Sequence, residues 1–111
     1  MTPDDRVRLG HIVEMFDAAT RFLREKQRSD LDSDQMLLFA LVRAIEVAGE
    51  AANQISAEGR DELPDLPWRL MIGMRNRLVH GYADIDTDIL WNTLTDAMPP
   101  VAERLRAYLK S

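Results

Sequence analysis

Residues 34–56 read DQMLLFALVRAIEVAGEAANQIS. Their apolar members Leu37, Ala40, Leu41, Ala44, Val47, Ala48, Ala51 and Ile55 recur every three or four positions, the period of a helix with one buried face. The small residues Ala44, Ala48, Gly49, Ala51 and Ala52 would let a second helix come close. Opposite them, Arg43, Glu46, Glu50 and Asn53 fall at i, i+3, i+7 and i+10, forming one polar stripe. Such a segment buries its face against other helices, so this stretch predicts helix-on-helix packing.

Working outward, Val7, Ile12, Met15, Phe16, Ala19, Phe22 and Leu23 keep the same spacing and predict a first amphipathic helix. Residues 28–34 read as a polar turn in which Asp32 or Ser33 caps the next helix. Gly59 to Pro67 reads as a loop, with Asp65 a possible cap and Pro67 at the first helical position. A third helix is expected from Pro67 to His80, ended by a left-handed Gly81. Asp84 and Asp86 sit where a cap is wanted for a fourth helix through Ile89, Leu90, Leu94 and Met98. Pro99-Pro100 must break or kink that helix before Val101, Leu105 and Leu109 resume the pattern. The expectation is an all-α, antiparallel four-helix bundle, one domain over 1–111, with the last helix kinked or split at Pro99-Pro100.

Composition narrows the chemistry. There is no cysteine, hence no disulfide framework or thiolate nucleophile, and two histidines make a histidine-rich metal site an unattractive reading. No apolar run reaches the roughly 20 residues of a membrane span, and the charged N-terminal stretch lacks a signal-peptide core, so a cytoplasmic protein is expected. The net charge is −5, so any contact with nucleic acid must be local rather than a matter of bulk charge. The positive charge is nearly all arginine, since Lys26 and Lys110 are the only lysines. Arginine suits planar recognition of phosphate or carboxylate.

Met74-Arg75-Asn76-Arg77-Leu78-Val79-His80-Gly81-Tyr82 collects the reactive groups at the end of the third helix. Arg75 follows Met71 by four and precedes Leu78 by three, which puts its Cα on the core-facing stripe. A buried guanidinium needs a partner, and Glu46 or Glu50 is the obvious one. Asn76 and His80 are four apart, so the amide is placed to orient the imidazole, if it is not simply a polar helix-end residue.

These groups fit RNA cleavage without a metal. A base takes the proton of a ribose 2′-OH, the freed oxygen attacks the adjacent phosphorus, and an acid protonates the leaving 5′-oxygen. A guanidinium steadies the charge of the pentavalent state. The stretch supplies one histidine per chain while the reaction wants two proton-transfer groups, so a symmetric dimer with facing motifs is expected.

Arg75-x4-His80-x-Tyr82 resembles the R-x4-H-x-Y motif of the HepT-like toxins within the HEPN ribonucleases. Ala44 to Ala51 and Leu66 to Met74 resemble the family's second-helix segment and the approach to its catalytic helix. The resemblance implies a homodimeric, metal-independent endoribonuclease with no cofactor, the toxin of a toxin–antitoxin pair, with Arg75 and His80 as the catalytic pair. It also implies a minimal nucleotidyltransferase (MNT) antitoxin, acting by AMP transfer to Tyr82 or by complex formation. An AMP there would add negative charge and bulk beside Arg75 and His80.

Plainer roles stand beside these. Arg77 is either an RNA-phosphate contact or a solvated charge, and Tyr82 either the modified residue or a tyrosine at the core edge. Glu46 and Glu50 read as structural partners of Arg43 or Arg75 before they read as metal ligands. His11, without polar companions in its helix, is expected at a surface or interface, and Trp68 and Trp91 in the core or a dimer interface. The alternative to a nuclease is a non-catalytic HEPN-fold dimer that binds nucleotide or RNA, or that scaffolds the nucleotidyltransferase.

Overall fold

Thr2 starts the first helix by accepting a hydrogen bond from the Asp5 N–H at 3.1 Å, and Pro3 enters without an N–H to satisfy. Helix α1 then runs Pro3–Phe22. In the computed structural model, which describes residues 1–81 and 84–111, it is followed by α2 Asp30–Ser33, α3 Gln35–Gln54, α4 Ala57–Asp61, α5 Trp68–Leu78, α6 Thr87–Asn92 and α7 Met98–Lys110. The described residues form no β-strand, only an isolated bridge between Val79 and Ile85, and the architecture is the expected all-α bundle.

Three pairs of contacts set the topology. Asp5 at the start of α1 meets Ser56 just past α3, so these helices run antiparallel. Gly49 faces the backbone of Met71 and Ile72 while Glu46 meets Arg75, so α3 and α5 are antiparallel too. On the other flank of α1, Arg6 donates to the Leu109 carbonyl and Arg106 pairs with Asp17, which opposes α1 and α7. The core between them includes Leu9, Ile12, Leu41, Ile45, Met71, Leu78, Leu90 and Leu105, all fully buried. Each such side chain contributes about 1.5–3 kcal/mol by leaving water.

Gly49 shows why the small residues of α3 matter. A Cβ there would lie 3.3 Å from the Met71 carbonyl oxygen and 3.6 Å from that of Ile72. The two backbones touch because one of them carries no side chain.

Several boundaries differ from the sequence expectation. The polar turn contains the short helix α2, and Asp34 rather than Asp32 or Ser33 caps α3, accepting from the Leu37 N–H at 3.0 Å. The loop after Gly59 is shorter than expected because α4 occupies its first part, capped by Ser56. Asp65 is not a cap: it pairs with Arg104 at 2.8 Å, and Pro67 stands just ahead of α5. Val7 and Phe22 lie on the outside of α1, and Leu9 takes the core position. Trp68 and Trp91 pack partly buried against the core, with the Trp68 indole donating to the Leu63 carbonyl at 2.9 Å.

The last helix is split, as the prolines require, but the accommodation lies ahead of them. Residues Thr93–Ala97 form a π turn, and the Met98 N–H reaches back five residues to the Thr93 carbonyl. A proline ring clashes with the carbonyl four residues earlier, and the widened turn relieves that clash. Pro99 and Pro100 then fall in the first turn of α7, where a missing N–H is tolerated.

Candidate active site

Met71, Met74 and Leu78 anchor α5 in the core, which leaves the intervening residues of its last turn to the solvent. Arg75, Asn76 and Arg77 are all exposed. The Arg75 side chain is 53% accessible, so it is not the buried guanidinium that the spacing implied. Its Cα follows Met71 by one turn at the edge of the buried stripe, and its long stem carries the charge out to solvent. The partner is as expected: Arg75 Nε donates to Glu46 Oε2 at 3.2 Å, with Glu46 32% accessible. Between groups this exposed, such a pair contributes about 0–1 kcal/mol, and its main effect is to orient the guanidinium.

Helix α5 ends two residues earlier than expected. The Val79 N–H still bonds to the Arg75 carbonyl at 2.9 Å, but Val79 is extended, with φ −105° and ψ 112°. Val79 then bridges to Ile85, the His80 N–H donates to the Asp84 carbonyl at 2.7 Å, and the Asp86 N–H donates to the Leu78 carbonyl at 2.6 Å. Gly81, with φ +83°, adopts its left-handed conformation inside this ribbon-like loop and not as a helix cap. A β-branched residue beside a bridging partner within the same chain thus outcompetes one more helical turn. In consequence Asn76 and His80 do not share a helix face, and the amide is not placed by helical geometry to orient the imidazole. His80 stands exposed on the loop, beyond the helix end.

The far limb of the loop is fixed by α6. Asp86 caps that helix, accepting from the Ile89 N–H at 3.0 Å. Arg28, a residue the sequence did not single out, grips the first turn: it donates to Asp88 at 2.6 Å, to Thr87 Oγ1 at 2.7 Å and to Asp32 at 3.1 Å. These bonds, that to Asp88 foremost, push the Arg28 guanidinium further toward its charged form.

Arg75 and Asn76 face an open groove of about 980 Å³ between α1, α3 and α5. Arg43, Glu46 and Glu50 from the α3 stripe line it, together with His11 and Arg8 from α1. His11 therefore has polar companions, Arg8 one turn before it on α1 and the α3 stripe across the groove. Arg77 and His80 do not line the groove. Tyr82 lies outside the described residues. Among the described residues there is no group of three or more His, Cys, Asp or Glu side chains placed to hold a metal ion. No described helix is long and apolar enough to cross a membrane.

The arrangement offers a guanidinium held by a carboxylate, an imidazole on a tethered loop, and a polar groove leading away from the guanidinium. Comparison with known proteins points the same way. A Thermococcus cleftensis protein named "Probable ribonuclease HepT" is 35% identical over 101 residues, covering 88% of this chain and 92% of its own. A Methanocaldococcus jannaschii protein named for RNase activity is 29% identical over 102 residues, covering 92% and 94%. A similarly named protein of Caldanaerobacter subterraneus is 28% identical, covering 92% and 91%. No solved structure matches the chain. The family described as "Ribonuclease HepT-like" matches residues 12–108, and the chain belongs to that ribonuclease family.

Proposed function

We propose that the chain, as one HEPN domain over residues 1–111, is the endoribonuclease toxin of a toxin–antitoxin pair and works as a homodimer. The observation that carries this reading is the placement of Arg75. It is exposed at the end of α5, oriented by Glu46, and followed directly by the tethered loop that presents His80. A phosphate arriving there exchanges one anionic partner of Arg75 for another. His80 moves the proton, either from the 2′-OH or to the 5′-oxygen. The 2′-oxygen forms the new bond to phosphorus and the P–O5′ bond breaks, leaving a 2′,3′-cyclic phosphate and a 5′-OH. The nucleophile is internal to the substrate, so the step requires no metal-activated water.

His80 and Arg75 do not face one groove within a single chain, and each chain offers one such histidine. A second copy with its loop turned to the first supplies the other proton-transfer group. Asn76 and Arg77, both exposed, support the motif by contacting RNA, and Glu50 continues the carboxylate stripe of Glu46 as a structural partner. Control by an MNT-type nucleotidyltransferase antitoxin completes the proposal: the Tyr82 oxygen attacks the α-phosphorus of ATP, pyrophosphate leaves, and the AMP adduct sets a negative charge next to the site.

The deciding experiment is induction of the chain alone in a bacterial host, beside Arg75→Ala and His80→Ala at matched soluble expression. Growth arrest by the wild type, lost in both variants, is expected, and purified protein should cleave RNA equally well with and without a chelator. If wild type and variants are equally harmless and no RNA is cut, the nuclease reading fails. RNA binding that depends on Arg75 without any cleavage would identify a binding module instead.

A further inference from the structure

The groove is larger than the proposed chemistry uses. At about 980 Å³ it stands at the upper end of small-ligand sites, and ten of its fifteen lining residues are polar or charged, their heads set among apolar stems and side chains. Arg75 and Asn76 hold one edge, and Arg43, Glu50, His11 and Arg8 extend beyond them. Glu46 is engaged by Arg75 at 3.2 Å, and Arg8 lies 3.9 Å from the buried Asp5. Arg43 forms no ion pair among the described residues, so its fork of donors is open to the groove.

We propose that this groove binds the single-stranded RNA flanking the cleaved bond, with Arg43 holding a phosphate and His11 and Glu50 facing a base. The proposal rests on the ribonuclease reading for the identity of the ligand. A strand whose scissile phosphate sits at Arg75 has its neighbouring nucleotide in this groove, because Arg75 forms part of the groove wall. Unpaired bases display their Watson–Crick edges, and protein side chains read RNA largely in that form. A carboxylate such as Glu50 accepts from an exocyclic amine, as Glu and Asp do with cytosine. This gives an acidic protein a reason to keep carboxylates in a nucleic-acid groove: they meet bases while the arginines meet phosphates. A second copy of the chain fits the lining less well. The centre of a protein–protein interface is depleted in charge, and seating a copy here would bury Arg43, Glu50, Asp4 and His11.

The test uses the full chain and a fluorescent single-stranded RNA of mixed sequence carrying 2′-O-methyl groups, which lacks the nucleophile and so reports binding apart from cleavage. Arg43→Ala should bind about tenfold more weakly, with the slope of log K against log salt reduced by about 0.7. Arg43→Lys should keep the wild-type slope, and His11→Ala should weaken binding about threefold with the slope unchanged. Sedimentation velocity on the same samples should show one unchanged oligomer. If the wild type cuts cleavable RNA but both alanine variants bind as tightly as it does, the groove assignment is wrong and the nuclease reading stands. Binding that depends on the groove without any cleavage leaves the groove assignment standing and removes the nuclease reading. A shift of either alanine variant to a smaller species makes the groove a seat for a second copy and overturns the RNA assignment. If the wild type neither binds nor cuts, both proposals fall.

Discussion

Replacing Asp5 by alanine should weaken the fold more than any other single charge removal described above. Asp5 is 2% exposed, and its carboxylate accepts from the Ser56 N–H at 3.1 Å and the Ser56 hydroxyl at 2.5 Å. Through Ser56, which also caps α4, it ties the start of α1 to the end of α3. Hydrogen bonds to a charged group contribute about 1.5 kcal/mol each at the low end, so the pair amounts to about 3 kcal/mol. Ser56 is exposed and water replaces part of that, which leaves a loss of about 2 kcal/mol and a fall in Tm of about 8 °C. The same bonds give a pH signature. The Ser56 hydroxyl holds the Asp5 carboxyl below the ordinary carboxylate range, against the opposing effect of burial. A depressed native pKa means that the unfolded chain binds the proton first. The contribution is therefore complete above the unfolded value of about 3.9 and disappears as pH falls through the native one. Urea unfolding followed by circular dichroism, at neutral pH and in steps below pH 4, should show wild type and Asp5→Ala converging in acid. A difference smaller than about 0.5 kcal/mol at neutral pH, or one that is constant down to the acid limit, would refute the reasoning.

Three more outcomes follow from the same geometry. Gly49→Leu places a side chain against the backbone carbonyls of Met71 and Ile72, and should cost about 2 kcal/mol or more in urea unfolding while lowering RNA cleavage. Arg28→Ala removes the grip on Thr87 and Asp88, and should speed hydrogen exchange of the His80 amide and reduce cleavage with a stability loss below about 1 kcal/mol. An unchanged exchange rate would show that α6 holds the loop unaided. Glu46→Gln frees Arg75 at little cost in stability, because both groups are largely exposed, and should tighten RNA binding a few-fold. A hundredfold loss of cleavage in that variant would instead place Glu46 in the chemistry.

What could be read from the sequence follows the reach of each interaction. The periodicity of α3 and its small face are local patterns, and both the helix and its close contact with α5 are found. The Arg75–Glu46 pair was foreseeable because a charge beside a core stripe seeks a carboxylate, and one stood on the facing helix. Features that depend on distant residues were not foreseeable. Val79 leaves the helix because Ile85 and Asp86 offer it and Leu78 partners, which no helical pattern reveals. His11 looked isolated although Arg8 stands one turn before it, because the groove they share is closed by α3 and α5, and Arg28 looked like a turn residue because Thr87 and Asp88 follow it by some sixty positions. The rule that proline opposes a helix foretold an irregular last helix, but not that the irregularity is a π turn lying ahead of the prolines.

That π turn has a consequence for what can approach the molecule. Pro99 and Pro100 offer no N–H to the carbonyls of Thr95 and Asp96 four residues back, and both residues are exposed. Neither oxygen can receive the usual helical hydrogen bond, so each depends on water or on a donor from elsewhere. A protein or helix that dried this surface would have to bring donors of its own, or lose about 1–3 kcal/mol for each carbonyl left unserved. The π turn thus makes the exposed side of Thr95 and Asp96 a costly surface to cover for any partner that brings no donors.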